Sequence, residues 1–274
     1  MTGYWMLVLH SHLPFVKHPE YSYFLEEHWF YEAVTETYLP LLMYMKKMEE
    51  ENIHFRYAVS VTPPLAAMMS DGLLMERYEK HLDKLLELAD KEIERTRWQP
   101  EFNSTAWMYL NKLYKAREIF VDKYHRNLLL GFKEYQDKGK IEIVTCGATH
   151  GFMPNMELYP NACNAQVAVA KKSYMQHFGR APKGIWNGEC GYYPGLEEFL
   201  KKQGIRYFFV DTHGVLHADK RPKYGIFAPL YTTNGVAVFG RDVESSKAVW
   251  SAQEGYPGDY NYREFYRDIG FDLD

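Results

Sequence analysis

Cysteine is scarce in this 274-residue sequence, and the few cysteines present form no recognisable site. Cys146, Cys163 and Cys190 make neither a C-x-x-C motif nor an even set, so no disulfide framework or cysteine zinc site is indicated. Isolated cysteines of this kind are typical of reduced thiols, and we therefore expect a cytoplasmic protein.

Long hydrophobic runs and clusters of basic residues are missing as well. The first apolar run, residues 4–9, is too short for a signal-peptide core or a membrane span, so we interpret it as a buried strand. The 32 lysines and arginines are scattered among 36 acidic residues, with a net charge of −4. Neither nucleic acid nor a membrane is therefore expected as a partner.

Short apolar segments separated by helical patterns predict an α/β fold with a parallel sheet. No linker, low-complexity tract or repeat interrupts the chain, so we expect one catalytic barrel domain over residues 1–274. Because a closed barrel usually needs about eight strands, six predicted strands leave this one incomplete. The predicted strands lie at residues 4–9, 55–61, 141–145, 184–187, 206–210 and 235–239.

Helical patterns fill the segments between these strands. Residues 28–51, 162–178 and 196–203 predict three helices, and Pro40 should bend or divide the first. Residues 65–138 read as helix almost throughout, which is too long for a simple crossover and indicates a helical insertion between the second and third strands.

Polar side chains follow each of the six predicted strands, and at five of them these include His, Glu, Asp or Arg. His10 and His12 lie two apart, so on an extended chain both point to the same side. In a barrel the carboxyl ends of all strands meet at one rim, so we expect a single assembled pocket. The residues that follow the strands are His10, His12, Thr62, His150, Glu189, Asp211, His213, Arg241 and Asp242.

Glu189 is the residue around which this pocket is predicted to be organised. It lies where an apolar segment runs into glycines and a proline, a position in which α/β barrels place catalytic groups. Trp186, Tyr192 and Tyr193 supply flat faces that suit sugar rings better than phosphates. We therefore predict that Glu189 is a nucleophile in glycosyl transfer.

Glycosyl transfer with retention needs a second carboxyl group as general acid, about 5 Å from the nucleophile. Asp211 and Asp242 are the candidates for that acid within the predicted rim. The histidines would hydrogen-bond sugar hydroxyls, and Arg241 would anchor a further hydroxyl or orient a carboxylate.

Two other functions remain open from these residues. A strand that ends in His-x-His can hold a divalent metal, and His150, Asp211 and His213 could complete the shell of a metal-dependent hydrolase or deacetylase. Against this hypothesis, no Asp precedes His10 in a D-x-H-x-H pattern. A glucan-binding domain without turnover is the other alternative.

Several separated motifs resemble, in order, the signatures of glycoside hydrolase family 57. They are HSHLPF at residues 10–15, ATHGF at 148–152, WNGECGYYPG at 186–195 and GRD at 240–242. The passage from residue 213 to 271, with GYPGD at 255–259 and RDIGF at 267–271, is similar to that family's 1,4-α-glucan branching enzymes. The resemblance covers essentially the whole chain.

The resemblance implies an incomplete (β/α)7-type barrel, a retaining mechanism without a metal or other cofactor, and an α-glucan substrate such as amylose or glycogen. By motif match, Glu189 corresponds to the nucleophile. His10, His12 and His150 would line the subsite that holds the cleaved sugar. Arg241 and Gly258 fall on glucan-contacting positions, and Trp250 is either a stacking platform or a buried core residue.

One feature of the family is not found among these motifs. Its acid/base Asp lies on a later strand, and neither Asp211 nor Asp242 sits in that motif. We therefore interpret the chain as the N-terminal part of a branching enzyme, truncated before its last strands and a C-terminal helical domain. On this interpretation the 274 residues alone have little or no activity.

Overall fold

The computed structural model describes residues 3–259, and these divide into two compact units. The first unit contains residues 3–151 and 165–182, and the second contains residues 152–164 and 183–259. The tail segment 262–268 and the RDIGF motif at 267–271 lie outside the described residues. Within residues 3–259, no helix combines the length and the apolar composition that a bilayer crossing requires.

The first unit is built on three parallel strands, β1 (Val8–Ser11), β2 (Tyr57–Val61) and β3 (Ile141–Cys146). In the register of β1 on β2, His10 lies opposite Ser60. Strands β2 and β3 are buried over most of their length, as expected for parallel strands covered by helices on both faces.

The predicted first strand was wrong for its first four residues. β1 begins only at Val8, while Tyr4 is 96% exposed and Trp5 is 79% exposed. The reason is the position of the partner strand, since β2 begins at Tyr57 and Val8 already pairs with Ala58. Residues further towards the N-terminus therefore extend past the start of β2.

Helices surround these strands, and Pro40 does not divide the first of them. A π-helical turn at Val34–Tyr38 joins α1 to α2 without a break in the helical backbone, and Pro40 follows directly after that turn. Four helices, α3 to α6, lie between β2 and β3, and their interpretation as an insertion stays a prediction. The helices are α1 (Glu27–Ala33), α2 (Leu39–Glu50), α3 (Pro63–Met69), α4 (Gly72–Arg95), α5 (Pro100–Arg117), α6 (Leu129–Asp137) and α7 (Pro160–Phe178).

The second unit contains a four-stranded sheet. β4 (Gly184–Trp186), β5 (Tyr207–Asp211) and β7 (Ala237–Arg241) are parallel, and β6 (Leu230–Tyr231) pairs antiparallel with β7. Neither unit closes its sheet within the part of the chain described, as an incomplete barrel requires. The predicted α/β fold class is thus confirmed.

Three elements of the second unit were not predicted from the sequence. β6 has only two residues, α9 (Thr212–Leu216) has five, and α10 (Val243–Trp250) has eight. Elements this short carry little periodicity, so their patterns are not distinguishable from loops. The remaining helix, α8 (Leu196–Lys202), agrees with the predicted segment and is followed by Gly204 with φ of 83°.

A buried ion pair fixes the start of α1 in the first unit. Arg77 Nη1 of α4 donates to Glu27 Oε1 at 2.6 Å, and the Tyr31 hydroxyl donates to Glu27 Oε2 at 2.8 Å. The backbone N–H of His18 also donates to this carboxylate, at 3.1 Å. One buried carboxylate therefore joins α1, α4 and the segment before α1, and Arg77 adds hydrogen bonds to the carbonyls of His18, at 3.2 Å, and Tyr21.

We predict that Glu27→Ala lowers the free energy of unfolding by roughly 3–5 kcal/mol, because it removes the buried carboxylate that balances the Arg77 charge and accepts from the Tyr31 hydroxyl. Urea denaturation of the chain measures this change. Glu87→Ala is the matched control, since Glu87 pairs with Lys91 on the exposed face of α4 and its loss should leave the urea midpoint nearly unchanged. Equal urea midpoints for the two variants would contradict the prediction.

Candidate active site

The first unit brings together the three histidines predicted for the rim. His10 and His12 lie at the end of β1, and His150 follows β3. His10 Nε2 is 3.0 Å from His150 Nε2, and the rings of His12 and His150 stack with centroids 3.7 Å apart. Three imidazoles in mutual contact form a group that can hydrogen-bond a ligand from several directions.

Gln166 of α7 holds the loop that carries His150. Its side-chain oxygen accepts from the Thr149 N–H at 2.9 Å, its side-chain amide donates to Thr149 Oγ1 at 2.8 Å, and its carbonyl accepts from Ala148 N–H at 3.1 Å. His150 itself has a left-handed backbone with φ of 57°. This conformation costs a non-glycine residue about 1–2 kcal/mol, so the loop contacts maintain a strained position.

Two buried hydroxyls lie behind the histidines. Ser60 Oγ is 2.5 Å from His10 Nδ1, and Thr62 Oγ1 is 3.2 Å from His12 Nδ1. Thr62 was among the residues predicted for the rim, but Ser60 was missed. Its signal was the spacing of Ser60 and Thr62, which matches that of His10 and His12 on the neighbouring strand.

Burial and, to a smaller extent, the charge of His150 lower the pKa of His12 to about 4. His12 is therefore neutral at neutral pH and can act as a hydrogen-bond donor at one ring nitrogen and an acceptor at the other.

The arrangement does not favour the metal-hydrolase hypothesis. Within residues 3–259, no group of three or more His, Cys, Asp or Glu side chains has the arrangement of a metal site. His10 Nδ1 and His12 Nδ1 contact hydroxyls, and His10 Nε2 contacts another imidazole. Ring nitrogens used in this way are not converging on an ion.

Glu189 lies in the second unit, on a strained turn directly after β4. Its φ is 51° and that of Cys190 is 56°, so two consecutive non-glycine residues are left-handed. Glu189 is exposed between buried Gly188 and Cys190. A strain of about 1–3 kcal/mol at each such residue persists only where the surroundings impose it, and it is common at catalytic sites.

The turn is imposed by tight packing of the residues around it. Cys190 N–H donates to Asn187 O and Gly191 N–H donates to Gly188 O, both at 2.9 Å. A Cβ at Gly191 would lie 2.5 Å from the ring of Phe152, so the chain passes where only glycine fits. These contacts leave the Glu189 carboxylate exposed on a fixed backbone.

Cys190 is not a competing nucleophile in this turn. Burial is the main cause that raises the pKa of its thiol to about 12. Arg241 opposes this shift by a smaller amount, while Asp211 and Glu189 add to it. The thiol is therefore protonated at neutral pH and unreactive.

The aromatic residues near Glu189 in the sequence also serve as packing. Trp186 is buried and packs against Phe209, with ring centroids 5.5 Å apart. The hydroxyl of Tyr192 donates to Glu197 Oε2 at 2.9 Å, and the buried Tyr193 hydroxyl contacts Cys163 Sγ at 3.1 Å. A contact between Trp186 and a sugar stays a prediction.

Asp211 and Arg241 are brought together by strand register. They lie opposite each other at the ends of β5 and β7, and Arg241 Nη2 is 2.7 Å from Asp211 Oδ1. The contact is an ion pair rather than an aligned hydrogen bond, because within residues 3–259 neither Asp211 Oδ1 nor Arg241 Nε has a hydrogen-bond partner. Of the two roles predicted for Arg241, this geometry favours orientation of a carboxylate.

Of the remaining predicted residues, His213 lies in α9, and Asp242, Trp250 and Gly258 lie at or after the start of α10. Asp242 caps the helix, accepting from Ser245 N–H at 3.0 Å and from the Ser245 hydroxyl, and these bonds hold its pKa below the usual range. A Cβ at Gly258 would lie 1.9 Å from Ala252 O, so this glycine permits a close approach within the chain. Trp250 is 63% exposed, so the buried-core interpretation of it was wrong.

The family model described as "Glycosyl hydrolase family 57" matches residues 6–268. The chain belongs to glycosyl hydrolase family 57. The resemblance read from its separated motifs is therefore confirmed. The prediction that the polar residues of all five strand ends share one pocket stays a prediction.

Two relatives of this family 57 chain are named as branching enzymes. A 1,4-alpha-glucan branching enzyme of Thermococcus kodakarensis is 33% identical over 97% of this chain and 42% of its own length. A probable 1,4-alpha-glucan branching enzyme of Mycobacterium tuberculosis is 28% identical, over 97% of this chain and 51% of its own length. The chain thus spans about half the length of the curated relatives it matches.

Solved structures share the fold of this family 57 chain. The alpha-amylase AmyC of Thermotoga maritima is 51% identical with a TM-score of 0.94, over 100% of this chain and 52% of the other. A GH57-type branching enzyme of Pyrococcus horikoshii is 35% identical with a TM-score of 0.85, over 97% of this chain and 51% of the other.

We predict that acid destabilises the chain partly through His12. Because its folded pKa of about 4 is below the usual value of 6.5, the unfolded chain binds more protons between these values. The stability contributed by neutral His12 is thus complete above about pH 6.5 and is lost as the pH falls to about 4.

Urea denaturation from pH 4 to 7 tests this prediction by comparing the wild type with His12→Gln. Burial also lowers the pKa of His81 to about 4, so only the difference between the two proteins reports on His12. The variant should show a shallower pH dependence. Parallel curves would contradict the prediction, as would an NMR titration of His12 with a midpoint above 6.

Proposed function

We propose that this chain carries the nucleophile of a retaining enzyme acting on α-1,4-glucans, and that its reaction is 1,4-α-glucan branching. The observation that carries the proposal is the exposed Glu189 carboxylate on a turn with two consecutive left-handed residues. Membership of family 57 and the relatives named as branching enzymes support it. Since the chain spans about half of those relatives, the activity is proposed for the whole protein.

In the first half of the reaction, a Glu189 oxygen attacks the anomeric carbon of an α-1,4 linkage. The bond from that carbon to the leaving O4 breaks, O4 takes a proton from a second carboxyl group, and a covalent glycosyl-enzyme forms. In the second half, the 6-hydroxyl of another glucan attacks the same carbon and gives its proton to the second carboxylate. Two inversions retain the α configuration and create an α-1,6 branch.

The second carboxyl group is not placed on Asp211 or Asp242. Asp211 is already paired with the Arg241 guanidinium, so its carboxyl group is engaged by a partner on β7. Asp242 accepts two hydrogen bonds as a helix cap, which stabilise its ionised carboxylate and occupy its oxygen. Both contacts favour roles for these residues in structure or substrate contact.

His10, His12 and His150 are proposed to hydrogen-bond hydroxyl groups of the glucan. Their contacts with one another restrain the orientation of each ring, and His12 is neutral at neutral pH. Neutral imidazole suits a neutral sugar, because no charge has to lose its water shell when the ligand binds.

Hydrolysis is the second candidate reaction, favoured by the 51% identity to a structure described as an alpha-amylase. The two reactions share the glycosyl-enzyme and differ in the acceptor, which is water in hydrolysis and a sugar hydroxyl in branching. The nucleophile prediction is therefore the same for both, and product analysis separates them.

We predict that Glu189→Gln in the whole protein lowers kcat on amylose by about 10⁴-fold, because covalent catalysis is lost. Glu198→Gln is the matched control, since Glu198 is exposed on nearby α8 and should keep normal activity. Azide should partly restore turnover of an activated glucoside by Glu189→Ala and yield the β-glycosyl azide, as a small nucleophile in the vacated space would. Substantial activity of Glu189→Gln would remove this residue as the nucleophile.

Product analysis on amylose decides between the two reactions. Branching should produce α-1,6 linkages, detected by proton NMR, with little increase in reducing ends. An increase in reducing ends without α-1,6 linkages would replace branching by hydrolysis. Binding of amylose without either product would support the non-catalytic alternative instead.

A further inference from the structure

Two hydroxyl residues of β2 match two histidines of β1 in position and spacing. His10 lies opposite Ser60 in the strand register, and residues two apart on a strand point to the same side. His12 and Thr62 each follow two residues later in the sequence. Each histidine contacts its hydroxyl through Nδ1. Both hydroxyl residues are completely buried, so water does not supply their hydrogen-bond partners.

The contacts of Ser60 fix the direction of its hydrogen bond to His10. Ser60 Oγ accepts from the backbone N–H of Ser11 at 3.2 Å, and that group can only donate. The serine hydrogen must then find an acceptor, and His10 Nδ1 at 2.5 Å is the one within reach among residues 3–259. His10 Nδ1 is therefore the acceptor, and neutral His10 carries its proton on Nε2.

The tautomer of His10 also determines that of His150. His10 Nε2–H faces His150 Nε2 at 3.0 Å and donates to it, because two ring nitrogens at this distance share one hydrogen. Neutral His150 then carries its own proton on Nδ1. A single serine hydrogen therefore sets the tautomer of two imidazoles.

Thr62 acts on His12 in the same way. Its Oγ1 caps α3 by accepting from Leu65 N–H at 3.4 Å, so its own hydrogen is left to donate to His12 Nδ1 at 3.2 Å. Neutral His12 then carries its proton on Nε2. Reversing any of these bonds would leave a buried hydroxyl hydrogen without an acceptor.

We propose that Ser60 and Thr62 are positioning residues that lock the tautomers of His10, His12 and His150, so that His12 presents an Nε2–H donor to a sugar hydroxyl oxygen. The proposal rests on the proposed function for its ligand, an α-glucan. It also gives a physical reason why a metal ion is disfavoured here, since coordination through Nε2 would require the opposite tautomer.

The tautomers can be measured without any activity, by long-range ¹H–¹⁵N NMR correlation on the chain at pH 7. His10 and His12 should show protonated Nε2 and unprotonated Nδ1. Ser60→Ala should change the His10 and His150 patterns, Thr62→Val should change that of His12, and Ser60→Thr and Thr62→Ser should restore them. Thr35→Val is the matched control, because Thr35 is a buried hydroxyl that bonds Tyr31 O and Tyr78.

Protonated Nδ1 on His10 or His12 of the wild type would overturn the proposal, and this result does not depend on any variant folding. Unchanged tautomers in folded Ser60→Ala and Thr62→Val would overturn it as well.

Kinetics of the whole protein on amylose test the consequence for the ligand. Ser60→Ala and Thr62→Val should each lower kcat/KM by about 10-fold or more, with recovery in Ser60→Thr and Thr62→Ser and no change in Thr35→Val. Equal losses in the hydroxyl-keeping variants would indicate packing alone and overturn the proposed role. An active Glu189→Gln would refute the nucleophile while leaving the tautomer result intact, so the two failures are distinguishable.

Discussion

The register between neighbouring parallel strands is the constraint on which the chemistry of this chain depends. In the first unit, the register of β1 on β2 places His10 opposite Ser60 and, two residues later, His12 near Thr62. A shift of one residue would turn every side chain of β1 to the other face, so the hydroxyls and imidazoles would separate. Strand pairing in the core thereby determines which ring nitrogens carry protons at the strand ends.

In the second unit, strand register brings two charged side chains together. Register between β5 and β7 sets Asp211 against Arg241, while the carboxylate proposed as nucleophile lies on a separate, strained turn after β4. Asp211 is thus engaged by the Arg241 guanidinium. Glu189 has a different environment, exposed on a backbone that its buried neighbours fix, and two carboxyl groups in different surroundings can take different roles.

Much of this could be predicted from the sequence, because strands and motifs are local patterns. The segment after β4 identified Glu189 as the candidate nucleophile, and His-x-His identified His10 and His12. What could not be predicted depends on partners distant in the sequence. Trp250 is exposed as the last residue of α10, and Asp242 caps that helix, which was not predicted. Ser60 needed the strand register, which periodicity alone does not fix.

The hydroxyls of Ser60 and Thr62 connect a local sequence pattern, His-x-His, with partners that are distant in the sequence. A histidine cluster in a sequence is ambiguous between metal binding and hydrogen bonding, because either use needs the same residues at the same spacing. The hydroxyl behind each ring removes the ambiguity, since a buried hydroxyl that accepts from a backbone N–H still has a hydrogen to donate, and the ring nitrogen is its acceptor. His12 thereby becomes a donor to a ligand oxygen. On the proposed tautomers, two buried hydroxyl hydrogens rather than the imidazoles alone determine which class of ligand the cluster can bind.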